Sequence, residues 1–243
     1  MTFPTHPAAV VAMKLWRPRR FDGVALVLGA MAPDLAYVVD GSGLPVWPFS
    51  HQPLGMIGWS LPLVVAGTRV VRWAAPVVAA HLPPGGPLAL RDYGAVRAAR
   101  HRWWITAYCA LLGAGSHLVL DPVETRVAAL DAVLDVAGAA VMLAIMVHVG
   151  RRRLIRAWYG DPPALRRRPV LFWGVAGAVA LPAMAATPFL PAAHLPHTTG
   201  VRVLCAVAGG LLAAALAVSL RNGRSRPCPG AGMNSLEPTS QTA

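Results

Sequence analysis

His117 and Asp121 stand four residues apart at the close of a long apolar run, in the stretch GAGSHLVLD. On a helix, positions i and i+4 share one face, so the imidazole and the carboxylate point the same way. Further residues of the same chemistry are scattered ahead of them: His6, Asp34 after Pro33, and His51. Glu124 follows three residues after Asp121. His, Asp and Glu without a nearby cysteine suit zinc, or a harder ion such as manganese, better than a thiolate site. An ion held by them would acidify a bound water and polarise an ester or phosphoryl oxygen. In that chemistry Asp34 or Asp121 would serve as ligand or general base.

The elements that must position these residues follow from composition. The 243 residues are 56% hydrophobic and only 13% charged, against roughly 25% charged in soluble proteins. Mean hydropathy is +0.51. Six apolar runs approach membrane-spanning length, at about 22–40, 49–68, 103–120, 127–149, 170–190 and 200–220. Arginine dominates the net charge of +12, and Lys14 is the only lysine. Basic residues cluster before the first run and after the second, fourth and sixth, whereas the other three connections hold only Arg126. Under the positive-inside rule this predicts a multi-pass inner-membrane protein with both termini cytoplasmic. The basic charge is thus a topology signal that leaves membrane lipids as the expected partners and gives no call for nucleic acid. Oligomeric state is not encoded in any pattern visible here.

The expected fold is all-α: a polytopic transmembrane bundle of about six spans, forming one domain over residues 1–222. The tail, 223–243, is polar and rich in Gly, Pro and Ser, and reads as a disordered cytoplasmic segment. Cys109, Cys205 and Cys228 form no CxxC and no disulfide framework. The N-terminus lacks the basic start of a cleavable signal peptide, so insertion is expected to rely on the first internal span.

On this topology six of the ten acidic residues, Asp34, Asp40, Asp121, Glu124, Asp131 and Asp135, fall at the outer level, with His51, His117, His194 and His197. Ionisable groups in apolar spans cost about 2.5–3.5 kcal/mol each on insertion scales, so several at one depth call for a shared ion or a wet cavity. His6 precedes the basic stretch 16–20 and joins them only if 5–15 is a short re-entrant helix folded back on the first span. His6 and Asp34 then both rise about 20 Å from the basic turn. Blander roles stay open beside these. Asp34 could break or cap a helix after Pro33, His117 and Asp121 could cap a helix end, and Asp131 and Asp135 could answer a helix dipole. His194 and His197 read as solvated loop residues, and His81, His101 and His148 as structural ones on the cytoplasmic side.

FPTHPAAV near the start, LGAMAPDLAY, SH before PLG, and GAGSHLVLDPVET resemble domain-of-unknown-function family 4184, a bacterial membrane family. That family is distantly similar to inner-membrane metal-dependent hydrolases. The resemblance covers most of the first 150 residues, and its motifs fall on His6, Asp34, His51, His117 and Asp121. It implies a metal-dependent hydrolase. It also implies a Thr-His pair after the aspartate of SHxxxD. Here Thr125 is followed by Arg126; Glu124 could replace that ligand, or the site could be defective. No G-x-S-x-G elbow, P-loop, HExxH or dinucleotide fingerprint is present. The other class open to the sequence is a non-enzymatic membrane protein, a small transporter or metal-handling module, using the same cluster as a pathway site.

Overall fold

A computed structural model describes residues 5–125 and 128–224, with the backbone alone at 5, 122–125, 128–132, 134 and 224. It is all-helical, with no strand among the described residues. The helices are α1 (Thr5–Trp16), α2 (Gly23–Met31), α3 (Val46–Ser50), α4 (Pro53–Gly55), α5 (Leu61–His81), α6 (Trp103–Thr125), α7 (Ala128–Arg151), α8 (Leu154–Tyr159), α9 (Pro169–Ala186) and α10 (Pro196–Arg224). Short 3-10 segments cover Asp34–Val39, Leu90–Ala98 and Thr187–Phe189, and a wider π-turn, Met56–Ser60, joins α4 to α5.

Four stretches among the described residues are long and apolar enough to cross a membrane: Pro53–His81, Trp103–Asp121, Pro169–Phe189 and Pro196–Gly223. They correspond to the second, third, fifth and sixth expected spans. α7 coincides with the fourth, but side chains in its opening turns lie outside the described residues.

Two expectations are corrected. The first span, 22–40, is not one helix. α2 stops at Met31, and the chain tightens into the 3-10 segment that starts at Asp34. Pro33 lacks an amide hydrogen and its ring crowds the preceding turn, so the α-helical ladder cannot continue through it. The second correction concerns Arg69 and Arg72, which sequence reading placed in a loop. They sit inside α5, which runs on to His81. Arg72 can remain in the helix because Asp22 meets its guanidinium at 2.6 Å. At the far end α10 reaches Arg224, two residues into the expected tail, and 225–243 lies outside the described residues.

α1 and α2 form an antiparallel hairpin whose basic turn, residues 17–22, is held by Lys14. Its ammonium donates to the carbonyls of Pro18 and Phe21. The hairpin packs against α5 and α6 through Val10, Leu26, Ala30, Val64 and Ala110. α2 and α6 come unusually close. A Cβ on Gly29 would stand 2.5 Å from the Ala110 carbonyl oxygen, and one on Gly113 would stand 2.5 Å from that of Leu26. Small residues at such crossings let helix backbones approach. α9 and α10 form a second hairpin, docked on α5 through Phe172, Ala176, Ala214 and Val218 with Ala74 and Val77.

Candidate functional site

The break at Pro33 generates the site. The carbonyls of Ala30, Ala32 and Pro33 leave the helical ladder in part, and buried carbonyls need donors. Each is met by a side chain from another element. His117 Nδ1 reaches the Ala30 oxygen at 3.0 Å, Trp59 Nε1 donates to that of Ala32 at 2.9 Å, and Ser50 Oγ donates to that of Pro33 at 3.0 Å. The strand of chain carrying Asp34 is thereby pinned to α6, to the π-turn and to α3. Bulk at Gly113, one turn before His117, would separate α2 from α6 and break the first of these links.

Four of the predicted residues meet here: His6 from α1, Asp34 from the 3-10 segment, His51 following α3, and His117 from α6. His6, Asp34 and His117 each bring one ligand atom to within 4.8 Å of the others. The His6 and His117 rings lie tilted against each other with centroids 4.1 Å apart, and His51 meets His117 edge-on at 5.3 Å. Asp34 Oδ1 lies 3.3 Å from His51 Nε2 and 3.3 Å from His117 Nε2. His6 and His117 are only 1% and 0% exposed.

The tautomers are set from outside the cluster. A carbonyl only accepts, so His117 carries a proton on Nδ1, facing Ala30, and turns Nε2 toward Asp34. His51 Nδ1 likewise faces the Trp47 carbonyl at 3.3 Å and Ser50 Oγ at 2.9 Å. Both Nε2 atoms are buried and without a hydrogen-bond partner. Three imidazoles and one carboxylate, with the rings unprotonated, are a donor set suited to a divalent ion.

The remaining predicted residues stand differently. Asp121 is half-buried one turn beyond His117, near enough to act electrostatically on His117 and Tyr37, but like His51 it is outside the group of three closest ligand atoms; His51 reaches that group through Asp34 Oδ1. The Glu124 side chain lies outside the described residues. Asp40 turns away and accepts from Thr198 Oγ1 at 3.0 Å. Ser116 bonds back to the Gly113 carbonyl at 2.7 Å. His81 is structural: it stacks on Phe172 at 4.3 Å and accepts from the Arg168 amide at 2.9 Å.

Sequence reading missed the shell around the cluster. Tyr37 and Trp47 flank His51, with ring centroids 5.9 and 5.8 Å from it, and Trp47 Nε1 donates to the Tyr37 hydroxyl at 2.6 Å. His197, expected in solvent, packs on Tyr37 at 4.6 Å. Arg202 is buried at the opening of α10 and donates to the carbonyls of Val38, Asp40 and Pro191 at 3.2, 2.7 and 2.6 Å. It ties the end of the Asp34 segment to the second hairpin. A signal existed: a lone arginine inside an apolar span asks for a partner.

These features define a class, an α-helical protein with four membrane-length apolar helices among the described residues and a His/Asp centre at one end of its bundle. Within that class the chain belongs to the family described as "Domain of unknown function (DUF4184)", whose model matches residues 1–125. The match takes in His6, Asp34, His51, His117 and Asp121 and stops before Arg126. No curated protein and no solved structure matches the chain.

Proposed function

We propose that this protein is a membrane-embedded, metal-dependent hydrolase acting on a lipid or another phosphoester, with zinc or manganese held by His6, Asp34, His51 and His117. One observation carries the reading: two buried imidazole Nε2 atoms converge on one carboxylate oxygen, with no arginine or lysine paired to it among the described residues. Their separation also fits. At 3.3 Å the Nε2–Oδ1 distances are longer than the usual N–H···O bond of about 2.9–3.0 Å. They match the edge of about 3.3 Å between ligands that each sit about 2.0–2.1 Å from one tetrahedral ion.

Such an ion supplies Lewis acidity and lowers the pKa of a bound water. The chain's own residues do the rest. The Ala30 and Trp47 carbonyls fix the ring tautomers, as outer-shell groups do for metal-binding histidines. Asp34 brings the one anionic ligand. Asp121, a turn along α6, is placed to accept a proton at its carboxylate. Trp47, Tyr37 and His197 form an aromatic rim on the side of His51.

The same reading puts the His/Asp centre at the outer face of the inner membrane, with six crossings, a re-entrant α1 and both termini cytoplasmic. Arginine placement supports it; Arg126 and Arg202 are the exceptions, and the Arg202 guanidinium donates to three backbone carbonyls. In a cysteine-free background, His194→Cys should react with an impermeant thiol reagent from outside and Gly160→Cys should not. The opposite pattern overturns the orientation.

Metal analysis of the detergent-purified chain tests the centre. About one equivalent of zinc or manganese is expected, with ester or phosphoester turnover that a chelator removes and the ion restores. Absence of stoichiometric metal under supplementation with either ion rejects the proposal.

A further inference from the structure

The opposite end of the bundle carries a second site. A cavity of about 740 Å³ opens between the α1–α2 turn, the approach to α6 and the end of α8. Arg17, Arg19, Arg20, Arg100 and His101 line it, and no carboxylate does. Arg19, Arg20 and Arg100 are exposed and form no ion pair among the described residues. His101 adds a buried Nε2 without a hydrogen-bond partner. Four guanidinium groups around one open volume form a receptor for phosphate oxygens, which they bind through charge-assisted, often bidentate hydrogen bonds.

A second cavity, of about 360 Å³, adjoins the first and is of opposite character. Val24, Val27, Met142, Ile145 and Val149 are among its walls. Trp158 and Tyr159 line both cavities. Lys14 holds these two rings in place, its ammonium 5.2 and 5.1 Å from their centroids. Volumes of about 300 Å³ and upward are those of ligand-sized pockets. Tryptophan and tyrosine between a charged region and an apolar one are placed as at a membrane interface.

We infer that this end binds one anionic phospholipid, with its phosphate among Arg17, Arg19, Arg20 and Arg100 and an acyl chain in the apolar cavity behind Trp158 and Tyr159. A free anion would use the arginines and leave the apolar cavity without a role. A lipid without a phosphate would use the cavity and leave four arginines facing one another, and a zwitterionic one would bring a further cation among them. Only a molecule with both parts satisfies both, and basic pockets between membrane helices are suited to anionic headgroups. The inference is independent of the metal centre and of the hydrolase reading.

Native mass spectrometry of the full chain in detergent tests it, titrated with dioleoylphosphatidylglycerol, dioleoylphosphatidylcholine or inorganic phosphate. One phosphatidylglycerol should be retained per chain, phosphatidylcholine far more weakly, and phosphate not at all. Each arginine lost should weaken retention about fivefold, so Arg19→Gln with Arg100→Gln should lower it about 25-fold. Both side chains are exposed, so the fold should persist, as elution volume and melting temperature will show. Ile145→Trp, filling the apolar cavity, should remove lipid retention with all four arginines intact. Equal retention of the two lipids, binding of phosphate alone, or indifference to the double arginine change each overturns the proposal.

Discussion

Two buried carboxylates at the arginine-rich end can be set beside a half-buried one at the histidine end. Asp22 is 1% exposed and fully answered. Arg72 meets its Oδ2 at 2.6 Å, Thr106 Oγ1 donates to the same atom at 2.7 Å, and its Oδ1 caps α2 at the Ala25 amide. Asp92 receives Arg153 and Arg156 at 3.0 and 2.8 Å. Asp34, by contrast, has imidazole nitrogens for neighbours. A buried charge is tolerated when it is paired. Asp22 and Asp92 meet that condition with fixed cations and have no ligand capacity to spare. Asp34 meets it through His51 and His117, whose rings can carry a proton or give it up to share a cation. The partner of a buried acid, more than its burial, separates a structural carboxylate from a chemical one.

The sharpest break of this comparison is a pair of variants. Asp34→Ala should empty the centre, bringing metal content from near one equivalent to below about a tenth, while the protein still inserts. Asp22→Ala should do the reverse. Metal per folded chain should be kept, but Arg72 left without its carboxylate should cost about 3–5 kcal/mol, read as a lower melting temperature. If Asp22→Ala strips the metal as Asp34→Ala does, the two ends are not distinct in kind.

Ser50→Ala tests the shell that orients His51 without touching any ligand. Loss of such a group should weaken metal affinity about 10–100-fold, measured by competition with a chromophoric chelator. An unchanged affinity would remove Ser50 from the site. Arg202→Met is the next smaller step. It leaves three carbonyls short of a donor, for a loss of about 1–3 kcal/mol in thermal stability. Metal content at saturating ion should hold, because Arg202 acts on the backbone after Asp34. His148→Ala is the smallest. The side chain is exposed near the end of α7, so stability should stay within about 0.5 kcal/mol and metal content should not change.

Composition and hydropathy determined a great deal about this protein. They indicated an all-helical chain with apolar runs of membrane length, and most run boundaries match helices to within a few residues. Local chemistry brought out His6, Asp34, His51 and His117, because histidine and aspartate are conspicuous in apolar surroundings. Other features required the tertiary structure. Helix periodicity places Asp121 on the His117 face equally well, yet Asp34, from a different element, is the carboxylate between the imidazoles. Arg72 looks like the end of a span until Asp22, 50 residues away, is found beside it. Pro33 signals a broken helix, but nothing near it in sequence says that His117, Trp59 and Ser50 will take up its carbonyls. Arg202 gives no hint of its three acceptors. The physical reason is common to all four cases. Propensity and hydropathy act over one or two turns of chain, whereas the neutralisation of a buried charge or carbonyl is decided by whichever donor packing brings within about 3 Å.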